Sequence, residues 1–458
     1  MKYVIIGNSA AGIGAVQGIR EVDKDGQIVL ISDEKYHTYS RPLISYLLKG
    51  RVTEESMIYR PLDFYEKNNV DTLLGTKVVS VDSAAKNITL ENGNKVDYDK
   101  LLIATGSKPF VPPMDGLDNV KDKFSFMKLD DVKAIEGVVK QGSKVLIVGA
   151  GLIGLKAAEA LEHYGAQMTV IDLADRILPS ILDNEASDIM KAHIESKGVR
   201  FILGTSAKHF EAHSAELTNG ETVDFDFVIL AVGVRPNTEL AEMAGGSVNR
   251  GIETDTRQAV KGVTDIYAAG DCTKSFDISS GSEKILALLP NAFMQGNIAG
   301  KNMAGMESYY LNAIPMNAIG FFGLHIITAG CYDGEAYVEH DGNNYKKLVT
   351  RDNALKGFIL MGNKIDRAGI YTSLIKEHIP LDEVDFEALK RNPMLMAFSR
   401  TRRNEKLAGG FGNDPCAEGH GQRVAGSGDH AVSAVPRTGK PKGQPSANAF
   451  RSARIRFD

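Results

Sequence analysis

The chain has 458 residues, about three domains' worth at ~150 residues each, and its 43% hydrophobic content is enough to fill several cores. Its net charge of −5 hides an asymmetry: Arg400 to Asp458 carries 11 Lys/Arg against 5 Asp/Glu, a surplus of +6 that leaves the body up to Ser399 at −11. An acidic body argues against nucleic acid as a partner, no apolar run approaches the ~18 residues that span a bilayer, and three unevenly spaced cysteines indicate neither a disulfide framework nor a zinc site.

The first element is VIIGNSAAGIGA, residues 4 to 15. A secretory signal would also begin on a basic residue such as Lys2, but it needs about 7 to 15 apolar residues, and only Val4, Ile5 and Ile6 precede Gly7. With no transit-like leader ahead of the first strand, a cytoplasmic protein is expected. The stretch reads instead as a buried strand, Tyr3 to Ile6, then a turn of small residues (Gly7, Ser9, Ala10, Ala11, Gly12) and an Ala-rich helix. A glycine turn opening a helix is suited to cradle a pyrophosphate on free N–H groups and the positive end of the helix dipole. Here a serine stands at the second glycine position, and taken alone the turn is also found in α/β domains that bind nothing. The next strand, Gln27 to Ser32, ends at Asp33 and Glu34, where a carboxylate can accept from a ribose hydroxyl.

The plan recurs 142 residues later in KVLIVGAGLIGLKAAEAL, residues 144 to 161. Gly149, Gly151 and Gly154 fit G-x-G-x-x-G, with Leu152 and Ile153 opening the helix, and the following strand ends at Asp172, 21 residues after Gly151. A carboxylate there favours the free 2′-hydroxyl of NADH and repels the extra phosphate of NADPH, although Arg176 is close enough in sequence to blur the preference. Beyond it, residues 316 to 398 give strands and then a helix, an α+β order. Residues 399 to 458 have no hydrophobic period and are expected to be a disordered basic tail, either merely solvated or able to meet an acidic surface.

Two such cradles joined by LLIATGSKP (101 to 109), with AVGVRPNT (231 to 238) and IYAAGD (266 to 271) further on, resemble the pyridine nucleotide-disulfide oxidoreductases over roughly residues 1 to 390. The resemblance implies two Rossmann-like domains and a C-terminal α+β domain. FAD would be held by residues 1–112 and 246–315, NAD by the inserted 113–245, and a dimer would form through 316–398. It also implies roles. Ala104, Thr105 and Gly106 would mark the crossing into the NAD domain and Gly233 the return; Gly270 and Asp271 would carry the flavin's ribityl chain. The helix after Asn291 and Ala292 would aim its N-terminus at the flavin.

Relatives that reduce disulfides carry cysteine on or near the first FAD helix, but YHTYSRPLISYLLKG (36 to 50) has none, and Arg41 stands where a single redox cysteine would align. The Ser-Arg-Pro-Leu string resembles the subgroup of rubredoxin reductases, ferredoxin reductases and the flavin portion of nitrite reductases, which makes Arg41 and Pro42 candidate FAD contacts; an exposed helix-start arginine is the alternative. Where such relatives pair a lysine with a glutamate beside the flavin, this chain has Tyr46 and Lys156. Lys156 would supply positive charge while Tyr46 stacks on or gates the nicotinamide site, unless Lys156 is simply a solvated helix residue. Cys272, Phe321, Phe322, His325 and His340 are expected to be structural. No metal is implied. The resemblance points to a reductase that takes hydride from NADH on FAD and passes electrons to a small redox protein such as rubredoxin. Direct reduction of dioxygen, or a slow-turnover sensing or scaffolding role, are the rivals.

Overall fold

A computed structural model of the chain describes residues 1–407. Strand Lys2–Ile6 lies at the centre of a parallel five-stranded sheet in the order Val70–Leu74, Gln27–Ser32, Lys2–Ile6, Lys100–Ile103, Ile266–Ala268. The chain runs outward from the first strand on one side and returns on the other, so the turn after Ile6 opens at the point where strand order reverses, where α/β sheets bind ligands. A second parallel sheet repeats this design around Lys144–Val148, with Gln167–Asp172 and Arg200–Leu203 on one side and Phe227–Leu230 and Lys123–Phe124 on the other. In both central strands every residue after the first is buried, as sheets covered by helices on both faces require.

The two sheets are linked by a short antiparallel ribbon, Ser107–Pro109 against Val234–Pro236. The Thr105 hydroxyl donates to the Asn237 carbonyl at 2.9 Å, and the Asn237 amide returns a bond to the Thr105 carbonyl at 2.8 Å. Gly106 and Gly233 both have positive φ on this ribbon. A third, antiparallel sheet follows in the order Met316–Phe321, Leu324–Gly330, Ala354–Met361, Asn344–Arg351, Glu335–Asp341, with helices Ala368–Lys376 and Phe386–Arg391 after it.

Helix Ala10–Val22 packs on helix Leu289–Met303 almost backbone to backbone. A Cβ added at Gly14 or Gly18 would lie 2.3 or 2.2 Å from carbonyls of Phe293 and Asn297, and one at Gly296 or Gly300 would lie 1.9 or 2.3 Å from carbonyls of Ala11 and Ala15. Only glycine fits there, so the spacing of the two helices is fixed by four missing side chains.

One expectation is corrected. The tail expected to be disordered from residue 399 begins with a helix, Arg400–Leu407. Its start has specific partners: the Ser399 hydroxyl accepts the Arg402 amide at 3.3 Å, and the Arg402 guanidinium reaches Glu383 at 3.0 Å. A capping serine and an ion pair to the preceding domain replace the hydrophobic period as the signal. The rest of that expectation, and Cys416, fall outside the described residues.

Candidate active site

Both glycine turns meet the requirements of a phosphate cradle, and for the same physical reasons. Gly7 and Gly149 sit at φ of +125° and +117°, and a Cβ on them would lie 2.1 Å from the Ala104 carbonyl or 2.3 Å from that of Ala231. Gly12 and Gly154 are pinned beneath their own turns, 1.9 and 2.0 Å from the carbonyls of Gly7 and Gly149 by the same measure. Ser9 and Gly151 are the N-caps, both in extended backbone, and neither helix has a side-chain cap or an acidic residue in its first turn. Ala10, Ala11, Leu152 and Ile153 open these helices, so their first amides face the turn. By contrast, helix Asn184–Glu195, which has no such turn before it, is capped by Asp183. Nothing lies within 4 Å of a Cβ built on Gly151, which leaves open space above that backbone. Uncapped N-termini at both turns, with open backbone above Gly151, suit a dinucleotide pyrophosphate.

The first turn converges with the other segments that the resemblance assigns to FAD. A Cβ on Gly270 would find Ala11 at 3.2 Å and Ala292 at 3.6 Å, so turn, Gly270 and the start of helix Leu289–Met303 meet at one place. That helix begins with Pro290 in its first turn and without a side-chain cap, presenting a third positive end. Asp271 makes no hydrogen bond or ion pair to protein among the described residues, and burial raises the pKa of its carboxyl, opposed by the charge of Arg41. A carboxylate held without a partner at this junction suits a hydroxyl-bearing ligand. Asn291 is committed elsewhere, accepting from the Tyr310 hydroxyl at 2.8 Å.

The acidic pair after the second strand divides its work. Glu34 is buried and accepts from the Tyr39 hydroxyl at 2.6 Å and from the Arg41 guanidinium. Asp33 is 57% exposed and pairs with Lys128 at 3.0 Å. Arg41, on the short turn that begins Arg41–Pro42, also reaches the Met127 carbonyl at 3.4 Å, linking the first unit to the chain entering the second. In the second unit Asp172 is anchored by the amides of Ala150 at 2.7 Å and Ala174 at 2.8 Å. Each oxygen keeps a lone pair for a further donor. Arg176 is drawn to Asp175 at 3.0 Å.

Tyr46 and Lys156 are brought together: the ammonium lies 5.2 Å from the centre of the tyrosine ring. Lys156 is not a bare charge, however, because it pairs with Glu159 at 2.6 Å and donates to the Gly320 carbonyl at 3.0 Å. Sequence reasoning missed Glu159, although its i,i+3 spacing from Lys156 was a readable sign. It also missed Asn8 and Gln295. The Asn8 side chain accepts from Tyr65 at 2.7 Å and donates to the Tyr36 carbonyl at 3.2 Å, and buried Gln295 accepts the Gly270 amide at 2.6 Å. A polar residue on the buried face of a helix was the only sign of Gln295.

Phe321 is fully buried and Phe322 nearly so. His325 and His340 lie in the third sheet, His340 3.0 Å from Glu185. Cys272 is fully buried; its thiol donates to the carbonyls of Ala269 and Ile103, and burial pushes its pKa up to about 11. Cys331 donates to the Ser279 carbonyl at 3.2 Å. Among the described residues no group of three or more His, Cys, Asp or Glu is placed to hold a metal ion, and no helix is long and apolar enough to cross a membrane.

Comparisons with known proteins identify the family. Residues 1–296 match the family model described as pyridine nucleotide-disulphide oxidoreductase. The chain is 34% identical to an NADH oxidase of Methanocaldococcus jannaschii over 322 residues, which covers 68% of this chain and 71% of that one. It is 30% identical to a rubredoxin-NAD(+) reductase of Pseudomonas putida, covering 67% of this chain and 81% of that one. Among solved structures, a NAD-dependent persulfide reductase from A. fulgidus superposes with a TM-score of 0.78 at 25% identity, over 84% of this chain and 78% of that one. The chain therefore belongs to the pyridine nucleotide-disulphide oxidoreductase family and is an NAD(P)H-dependent FAD oxidoreductase.

Proposed function

We propose that this protein takes hydride from NADH and passes electrons to a small redox protein of the rubredoxin kind without a cysteine relay. The observation that carries this reading is the segment Tyr36–Gly50, which packs beside the NAD-unit helix at Tyr46 and holds Arg41, not a thiol, where a redox cysteine would align. A buried Cys272 whose thiol pKa is raised is a poor nucleophile, and the Cys331 thiol, in the third domain, is engaged with the Ser279 carbonyl. The likeness to rubredoxin-NAD(+) reductase supports the same acceptor class.

When bound, FAD would supply the chemistry the protein lacks, accepting a hydride as a two-electron unit and releasing electrons singly. The chain's own residues bind and orient. The amides after Ser9 and Gly151 would hold the two pyrophosphates, and Asp271 would take the ribityl hydroxyls. Asp172, fixed by two amides, would accept from the nicotinamide nucleotide's ribose. Its charge, with Arg176 turned to Asp175, favours NADH over NADPH. We assign FAD to residues 1–112 and 246–315, NAD to 113–245 and a homodimer contact to 316–398. Two free cysteines among the described residues suit a reducing, cytoplasmic setting.

The second reading, direct reduction of dioxygen, is favoured by the 34% likeness to an NADH oxidase. Anaerobic reduction of the flavoprotein with NADH, followed by separate additions of rubredoxin, ferredoxin and air-saturated buffer, tests both. Rapid reoxidation by a carrier protein with slow reoxidation by air supports the proposal. Rapid reoxidation by air alone, with stoichiometric water or peroxide, replaces it with the second reading.

A further inference from the structure

The hairpin between strands Met316–Phe321 and Leu324–Gly330 turns on two residues, Phe322 and Gly323, at φ of +50° and +90°. Such a turn ordinarily selects Asn or Gly at its first position, and a phenylalanine there is held against its backbone preference. What holds it is the NAD unit. The Phe322 amide donates to Glu159 Oε1 at 3.1 Å, and the His193 ring nitrogen Nε2 lies 3.1 Å from the Phe322 carbonyl. Both phenylalanine rings are buried in one apolar cluster with Leu155, Met190 and Ile194.

The other oxygen of Glu159 holds Lys156 at 2.6 Å, and Lys156 donates to the Gly320 carbonyl at 3.0 Å. Its ammonium stands between two rings, 5.2 Å from the centre of Tyr46 and 5.6 Å from that of Phe321. One carboxylate, 15% exposed, thus ties three parts of the chain: the hairpin tip, the NAD-unit helix and, through the cation over its ring, Tyr46 of the first unit. With both oxygens committed, Glu159 has one orientation, and so has the lysine it holds.

We propose that Glu159 is a positioning residue for hydride transfer: it fixes Lys156 over Tyr46 and thereby sets the NAD-unit helix at one distance from the flavin-bearing unit. This rests on the hydride route proposed above. The hairpin tip is then a gauge block between the units, and the charge of Lys156 serves geometry by way of its neighbours.

The test is rapid-mixing reduction of the FAD-loaded protein by NADH without oxygen, for wild type, Glu159→Gln, Lys156→Met and the double variant. FAD content and the visible flavin spectrum are recorded alongside. A misplaced donor slows the limiting rate, so each single variant is expected to lose about tenfold in that rate, with NADH affinity and FAD content unchanged within about twofold. Because the two side chains act through one tie, the double variant is expected to be no slower than the slower single variant. Limiting rates within about twofold of wild type in both single variants, or losses that multiply in the double variant, overturn the proposal. So does a loss of FAD content with an unchanged limiting rate, which would mark a purely structural pair. Should Glu159→Gln not fold, Lys156→Met and Lys156→Arg decide: arginine restoring most of the rate lost in the methionine variant supports the tie, and two equal rates overturn it. If NADH fails to reduce even the wild type, the hydride route itself is wrong and this inference falls with it.

Discussion

The two glycine turns are built alike at their first and third positions and differently at the second. Gly7 and Gly149 share a φ near +120°, and Gly12 and Gly154 lie equally tight against the carbonyl of the first glycine. Between them stands Ser9 in one turn and Gly151 in the other. The tight positions are therefore requirements of the strand-turn-helix fold itself, and the second position is where the proposed ligand would be met. The serine reads as a departure from a motif, yet its backbone conformation, φ −114°, is open to any residue.

The comparison is most severely tested at the tight positions. Gly12→Val and Gly154→Val should each cost about 3 kcal/mol or more, because the new side chain meets a carbonyl and not a compressible side chain. Thermal unfolding of the two variants measures this, and a loss under about 1 kcal/mol in either would show that the turns are not equivalent. Asp172→Ala should come next. Two loop amides lose their acceptor, with a stability loss of about 1–3 kcal/mol, and NADH binding weakens about tenfold, read by unfolding and by NADH titration.

Gly151→Ser transplants the first turn's residue into the second. Space around Gly151 is open, so stability should change by less than about 0.5 kcal/mol, while NADH affinity drops several-fold as the hydroxymethyl group enters the phosphate space. Unchanged affinity would mean that serine is as good a cradle residue as glycine in both turns.

The smallest effect belongs to Asp271. Burial raises its folded pKa, so in the FAD-free protein its contribution to stability is fully present below the unfolded value of about 3.9 and is lost as pH rises through the raised value. Asp271→Asn should remove that loss, giving the FAD-free protein an equal or higher urea midpoint at neutral pH while weakening FAD retention. A lower midpoint at neutral pH would show that the carboxylate has protein partners after all.

Much of this architecture was legible because its requirements are local. The strand Gln27–Ser32 and the acidic residues that end it are written in a continuous apolar run and its stop, and each cradle is written in the spacing of three small residues. What was not legible depends on residues far apart. That Asp33 would turn to Lys128 follows from the path of the chain after residue 112, and that Glu34 would be claimed by Tyr39 and Arg41 follows from an irregular loop whose fold no hydrophobic period encodes. The same holds for Lys156. Its sequence context offered charge near the flavin, but its partners come from its own helix and from a hairpin in the third domain. The start of the tail was misread because a serine cap and one ion pair are weaker signals than composition.

The four glycines that seat helix Ala10–Val22 against helix Leu289–Met303 have a consequence for biosynthesis. On a translating ribosome the first glycine turn emerges well before its companion helix and the strand Ile266–Ala268, which follow only after the whole inserted unit has been made. A nascent chain therefore cannot seat these two helices on each other until residues up to Met303 have been made. The inserted unit, whose sheet is contiguous in sequence, is free to fold first.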